Sequence, residues 1–214
     1  MSINLYFIGN CKEFMTYPNI YSVSYGWGID AAGKLRKATK YDRTQPIVID
    51  DSIIAPITTD FIRMLLPYCE KGCILDFERK PGQFHTELLQ SLEKISPIWL
   101  SPQYRKLAPK AYCMITCELP HNSWKSFCMA QNRQYGSKWV LEYHPLQITK
   151  ECRNFKKQKI QYLPDAICMT DAKGNLLYYY DTVQTIMEKR NIAAQYGCQG
   201  MICIAEEWKN LRKK

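Results

Sequence analysis

Strand-like and helix-like segments alternate along the whole chain, and that order constrains the fold more than any single motif. Short apolar runs at Tyr21–Trp27, Pro46–Ser52, Gly72–Glu78, Pro97–Pro102, Ala111–Leu119, Lys138–His144, Asp165–Thr170 and Gly200–Glu206 read as strands. Helical patterns lie between many of them. Thr59-Asp60 can cap Phe61–Glu70, Phe84–Ile95 follows Pro81-Gly82, Ser123 can cap Trp124–Arg133, and Val183–Tyr196 runs up to Gly197. Strands alternating with helices imply a parallel sheet with right-handed crossovers. Seven or eight such units in 214 residues predict an α/β fold: a single minimal (β/α)8 TIM-type barrel over residues 1–214, with a reduced N-terminal unit. Lys173-Gly174-Asn175 has turn chemistry between Ile167–Asp171 and Leu176–Asp181, which predicts a β-hairpin there.

Composition narrows the class. The chain is 46% hydrophobic, enough to bury a real core. No apolar stretch approaches the roughly 18–20 residues of a membrane span. Met1–Ile8 lacks a basic start and a long apolar core, so no signal peptide and a cytoplasmic location are expected. Of the ten cysteines, Cys73, Cys113, Cys117, Cys168 and Cys203 fall inside apolar runs, where a thiol behaves as a small hydrophobe. Neither Cys69-x3-Cys73 nor Cys113-x3-Cys117 fits a zinc pattern, so reduced core thiols are expected. The net charge of +9 gathers at Lys34–Arg43, Lys150–Lys159 and Lys209–Lys214. No nucleic-acid-binding signature accompanies it, so solvated surface is the expected role and nucleic acid is not an expected partner.

The acids are distributed differently. Asp50-Asp51, Asp76 with Glu78, Glu118, Glu142 with His144, and Glu206-Glu207 close five of the strand-like runs. In a barrel those ends form the face where active sites are built. In Gly72–Glu78 the period of two puts Ile74, Asp76 and Glu78 on one side. Neighbouring carboxylates push their pKa values apart and make one a candidate proton donor. A plainer reading pairs Asp76 or Glu78 with Arg79 or Lys80 at a strand end. Aromatics join the acids at Tyr25, Trp27, Tyr104, Tyr143 and Trp208. Acids beside flat rings suit a sugar, which offers hydroxyls at its edge and C–H bonds on its face. The candidate catalytic residues are Glu78 and Asp76; the candidate substrate-binding residues are Tyr25, Trp27, Asp51, Glu118, Tyr143 and Glu206. A competing reading makes Glu142-x-His144 two ligands of a metal, completed by Asp50, Asp51 or Glu206.

The motifs resemble those of the family-18 glycoside hydrolases, the chitinase and endo-β-N-acetylglucosaminidase group, and the related sugar-hydrolase-like domains of bacterial spore proteins. The family's strand-4 motif is D-G-x-D-x-D-x-E, and Lys71-Gly72-Cys73-Ile74-Leu75-Asp76-Phe77-Glu78 keeps the Gly, the last Asp and the Glu. Tyr21–Trp27 followed by Ile29–Leu35 resembles the second strand and its hairpin. Ile115-Thr116-Cys117-Glu118 lies where strand 6 carries M-x-Y-D. Gly174–Asp181, a helix, and Gly197–Ile204 resemble the closing segment around strands 7 and 8. On this register Leu5–Gly9 is a reduced strand 1. The resemblance implies that Glu78 is the general acid and that Asp76 holds the acetamido group whose carbonyl attacks the anomeric carbon. It implies no metal or organic cofactor, and a partner that is an N-acetylated oligosaccharide or glycan fragment. The chain departs from the pattern at Lys71 and Ile74, where the motif has Asp. It departs again at Cys117 for the strand-6 Tyr and at Ile204 for the strand-8 Trp. Those departures support an alternative: a catalytically inactive carbohydrate-binding relative.

Overall fold

The structure, a computed structural model, describes residues 3–9, 19–29, 35–36, 45–51, 59–117, 124–148, 159–163, 166–170 and 176–211. Its main sheet holds eight parallel strands: β1 (Asn4–Ile8), β2 (Ile20–Ile29), β4 (Ile47–Asp50), β5 (Cys73–Asp76), β6 (Ile98–Leu100), β7 (Tyr112–Thr116), β8 (Trp139–Tyr143) and β13 (Cys198–Ile204). Their spatial order is β1-β13-β8-β7-β6-β5-β4-β2, and β1 also pairs with β2 in parallel. The sheet is therefore curled and barrel-like, and Cys73–Asp76 is its fourth strand in chain order. β3 (Leu35–Arg36) adds antiparallel to β2, which gives the expected second-strand hairpin.

Seven of the eight strand-like runs enter this sheet; Asp165–Thr170 does not. β9 (Leu146–Ile148), β10 (Lys159–Leu163), β11 (Ala166–Thr170) and β12 (Leu176–Tyr180) form a separate antiparallel sheet in the order β10-β11-β12-β9. The hairpin reading was right for β11 and β12, which pair antiparallel; its turn residues fall outside the described residues. The register of the closing segment needs correction: the seventh strand is Trp139–Tyr143, and Leu176–Tyr180 belongs to the second sheet. An apolar run of five residues carries the same pattern in either sheet, so periodicity alone could not separate them. The reduced strand 1 expected at Leu5–Gly9 is β1, Asn4–Ile8, paired in parallel with both β13 and β2.

Three apolar layers follow from strand alternation. Val23, Val48, Ile74, Trp99, Met114, Val140 and Ile202 point inward and pack together. Outward residues of β4, β5 and β6 meet α1 (Thr59–Leu65) and α2 (Gln83–Leu92), where Leu75 and Phe77 join Leu88, Leu89 and Leu92. Outward residues of β1, β8 and β13 meet α3 (Trp124–Tyr135), α4 (Val183–Gln195) and α5 (Ala205–Leu211). After β6 a single 3-10 turn, Pro102–Tyr104, stands where a longer helix would. At the lower end Tyr6 stacks on Tyr21 at 5.6 Å and tilts against Trp99 at 5.4 Å. Among the described residues no helix is long and apolar enough to cross a membrane.

Candidate active site

The inward residue that follows each apolar one at i+2 reaches the C-terminal mouth. Ile74 is buried in the inner layer, so Asp76 above it is exposed into the opening. By the same rule Val140 puts Glu142 there, Met114 puts Thr116 there, and Ile202 puts Ile204 there. A cavity of ≈ 300 Å³ opens at this end. Its floor is Val48, Ile74, Met114 and Ile202, and its polar wall is Asp76, Glu142 and His144. A neighbouring cavity of ≈ 280 Å³ shares Asp76, Met114 and Glu142 and extends towards Ser101 and Thr116.

Hydrogen bonds organise the polar wall. Thr116 Oγ1 donates to Glu142 Oε2 at 2.6 Å. His144 Nε2 lies 3.9 Å from Glu142 Oε1, while its Nδ1 is 3.1 Å from Glu207 Oε1. His144 thus stands between two carboxylates. The bond to Glu207 raises its pKa, against the opposing effect of burial and with further help from the charge of Glu142. Asp76 is also held above the usual carboxylate range. Desolvation is the largest cause, followed by the charges of Glu142, Asp50, Glu78 and Asp51.

Glu78 sits two residues beyond the end of β5 and is exposed. It lies near enough to Asp76 to add to that group's shift, yet it lines neither cavity. Its backbone is pinned from behind. Asp51 Oδ1 accepts the N–H of Glu78 at 2.8 Å, and Oδ2 accepts that of Arg79 at 3.2 Å. The Tyr104 hydroxyl donates to the Arg79 carbonyl. His85 Nδ1 accepts the Gly82 N–H at 3.0 Å, so the neutral ring carries its proton on Nε2, 3.0 Å from Asp51 Oδ2. Asp51, His85 and Tyr104 are all buried.

The structure disperses the expected substrate-binding residues. Asp51 is buried on the outer side, its carboxylate engaged by the chain's own donors. Tyr143 also points outward. It is buried, its hydroxyl donates to Asp181, and its ring meets Trp124 edge-on. Glu206 is exposed in the first turn of α5 and pairs with Lys209 at 3.0 Å. Tyr25 and Trp27 lie on β2, and their side chains fall outside the description, as does Glu118 altogether. Trp208 packs in the outer layer, edge-on to Phe7 at 4.8 Å. Of the metal candidates, Glu142 and His144 do come together and Asp50 follows the inward Val48 at i+2, but Asp51 and Glu206 are engaged elsewhere, and among the described residues no three His, Cys, Asp or Glu side chains cluster to hold a metal. Glu142 and Thr116 were not singled out for the sugar site from the sequence. The signal for both was present: each follows an inward apolar residue at i+2.

No family model matches the chain, and no curated protein does. Solved structures share its fold. The spore cortex-lytic enzyme SleL of Bacillus cereus superposes with a TM-score of 0.59 at 12% identity, covering 99% of this chain and 74% of that one. SleL of Bacillus megaterium gives 0.57 at 11% identity, over 98% and 73% of the two chains. The C-terminal domain of a presumed chitinase of Desulfitobacterium hafniense gives 0.57 at 13% identity, over 99% of this chain and 96% of that one. The chain therefore shares the fold of these three structures over nearly all of its length.

Proposed function

We propose that this protein is a glycoside hydrolase built on a minimal (β/α)8 barrel of the family-18 kind, acting on N-acetylglucosamine-containing glycans, with Glu78 as general acid. The observation that carries the reading is the end of the fourth strand. Asp76 opens into an apolar-floored cavity, and Glu78 follows it on a backbone fixed by Asp51 and Tyr104. A general acid has to be held at one place relative to the bond it protonates, and a pinned backbone serves that need. The likeness of fold to spore cortex-lytic enzymes and a chitinase domain supports the same substrate class. Asp76, protonated more readily than an ordinary carboxylate, suits hydrogen bonding to a neutral acetamido group.

A second reading, a saccharide-binding relative without turnover, is favoured by Ile74 and Cys117. Ile74 lies in the cavity floor, and Cys117 is buried in the outer layer, so neither offers a polar partner to an acetamido group. Hydrolysis and calorimetric binding across a panel of N-acetylglucosamine oligosaccharides separate the two. Turnover that Glu78→Gln abolishes while binding persists supports the first; binding without turnover in the wild type supports the second.

A further inference from the structure

Two cavities adjoin at Glu142, and the assignment of Glu78 and Asp76 gives that residue no role. The first cavity, of ≈ 300 Å³, is floored by Val48, Ile74, Met114 and Ile202. The second, of ≈ 280 Å³, is bounded by Ser101 and Pro102 at the start of the short turn after β6 and by Thr116 on β7. Both are close to the lower bound of about 300 Å³ for small-molecule sites, so each suits one sugar ring. Glu142 lines both, from the end of the seventh strand. Its Oε2 takes the Thr116 hydroxyl at 2.6 Å, which fixes the orientation of the carboxylate. His144 Nε2, at 3.9 Å from Oε1, is beyond hydrogen-bond reach. A carboxylate offers about four lone-pair sites, and among the described residues Thr116 is the one donor to these oxygens. Most of the accepting capacity is therefore open, on a side chain that is 32% exposed at the junction of the two spaces.

We propose that Glu142 anchors an extended saccharide, accepting hydroxyl protons from two adjacent sugar units, one seated in each cavity. The proposal rests on the saccharide reading given above and deepens it: the ligand spans at least two units, and its path runs from the apolar floor towards Ser101 and Thr116. Sugar hydroxyls donate well to a carboxylate, because the bond is charge-assisted. The C–H face of one ring lies on Val48, Ile74, Met114 and Ile202, while its edge meets Glu142. Thr116 keeps a lone pair for the second unit while its proton is committed to Glu142. Asp76 complements them from the fourth strand: its raised pKa favours the protonated form, which donates where Glu142 accepts.

Calorimetry on the Glu78→Gln protein, which holds saccharide without consuming it, tests the assignment. The probes are N-acetylglucosamine, its β-1,4-linked disaccharide and a set of monodeoxy disaccharides. The disaccharide is expected to bind more tightly than the monosaccharide. Glu142→Ala should weaken the disaccharide by about 10–10²-fold, the usual loss of hydrogen bonds to a charged group. Thr116→Val should weaken it less, by releasing the carboxylate. Ser101→Phe should fill the second cavity and reduce the disaccharide to the affinity of the monosaccharide. The monodeoxy disaccharides separate anchoring from damage to the fold. One that lacks a hydroxyl held by Glu142 should bind the Glu142→Ala protein as well as the parent disaccharide does, which a merely structural loss would not produce. Unchanged disaccharide affinity in Glu142→Ala overturns the anchoring role and leaves the saccharide reading intact. So does an equal loss for every deoxy analogue. Equal affinity for one and two units overturns the two-unit path. No binding of any saccharide, with wild type equally blind to all of them, overturns both readings.

Discussion

Asp51 accepts the backbone N–H of Glu78 at 2.8 Å across 27 residues of sequence, so the residue after the fourth strand is positioned by the end of the third. Asp51 is 1% exposed and also receives the Arg79 N–H and the His85 ring. Asp51→Ala strands those donors in a buried site. Each unsatisfied buried group costs about 1–3 kcal/mol, so a loss of several kcal/mol is expected in urea unfolding. Asp51→Asn keeps one acceptor oxygen and should fall between. If the protein hydrolyses glycans, both variants should lose kcat more than binding, because Glu78 loses its anchor. An Asp51→Ala protein as stable as wild type would show that the clamp carries no weight.

Glycines test how closely the inner layer is packed. Gly72 has φ +125°, and a Cβ there would collide with the Trp99 ring. Gly136 has φ +61° with nothing within 4 Å of a built Cβ. Gly136→Ala should cost about 1 kcal/mol, from backbone strain alone. Gly72→Ala adds displacement of a buried indole, and overpacking typically costs about 1–3 kcal/mol beyond the strain. The difference between the two variants in denaturation midpoint reads the packing contribution. Equal costs would mean that Trp99 moves aside freely.

The order of strands along the chain was legible because alternation and capping are local. The inward and outward faces of β5 followed from the period of two, and Ile74 and Asp76 stand where that period puts them. What escaped were relationships set by distant pairing. Leu176–Tyr180 has the apolar character of a barrel strand, and only its pairing with β9 and β11 places it in the second sheet. Tyr143 looked like a sugar platform because it ends a strand. It follows Glu142 by one residue, which turns it outward onto Trp124 and Asp181. Asp51 beside Asp50 is the same case: adjacent residues on a strand face opposite ways, and the second one became a backbone clamp.

Asp181 forms a second buried polar centre, with Lys189 Nζ 3.1 Å away and the Tyr143 hydroxyl donating to it. Burial outweighs the nearby ammonium and raises its pKa from 3.8 to about 6. An acid raised on folding binds its proton more tightly in the folded state. Its protonated form is favoured at low pH, so stability falls as pH rises from about 4 to about 6 and levels off above. Asp181→Asn should flatten that part of the profile. It should also destabilise the protein at pH 7 by about 3–5 kcal/mol, because Lys189 loses its buried counter-charge. Denaturant midpoints measured from pH 4 to 8 check both expectations. An unchanged slope between pH 4 and 6 in Asp181→Asn would refute the assignment of that titration to Asp181.

Seven cysteines, Cys69, Cys73, Cys113, Cys117, Cys128, Cys198 and Cys203, are buried and in no disulfide. Burial pushes the Cys117, Cys128 and Cys198 thiols up to about 12. The thiolate is the reactive form, so these groups should resist a disulfide reagent at pH 8 in the folded protein. Of ten thiols in the chain, at most three should react quickly under native conditions, and all ten should react in guanidinium. Fast native labelling of more than three would mean that the layers around α3, α4 and β13 open readily.

His144 offers a direct reading of the mouth's electrostatics. Its pKa is raised chiefly by the bond to Glu207. A histidine raised on folding contributes stability that is fully present below the unfolded value of about 6.5 and is lost as pH rises through the folded value. Glu207→Gln removes the main cause, so the imidazole titration followed by NMR should move down. Glu142→Gln should move it in the same direction by less, since that carboxylate lies at 3.9 Å and acts through charge alone. The order of the two shifts is the test. A larger shift from Glu142→Gln would place the proton of His144 on the cavity side and make Glu142, not Glu207, its principal partner.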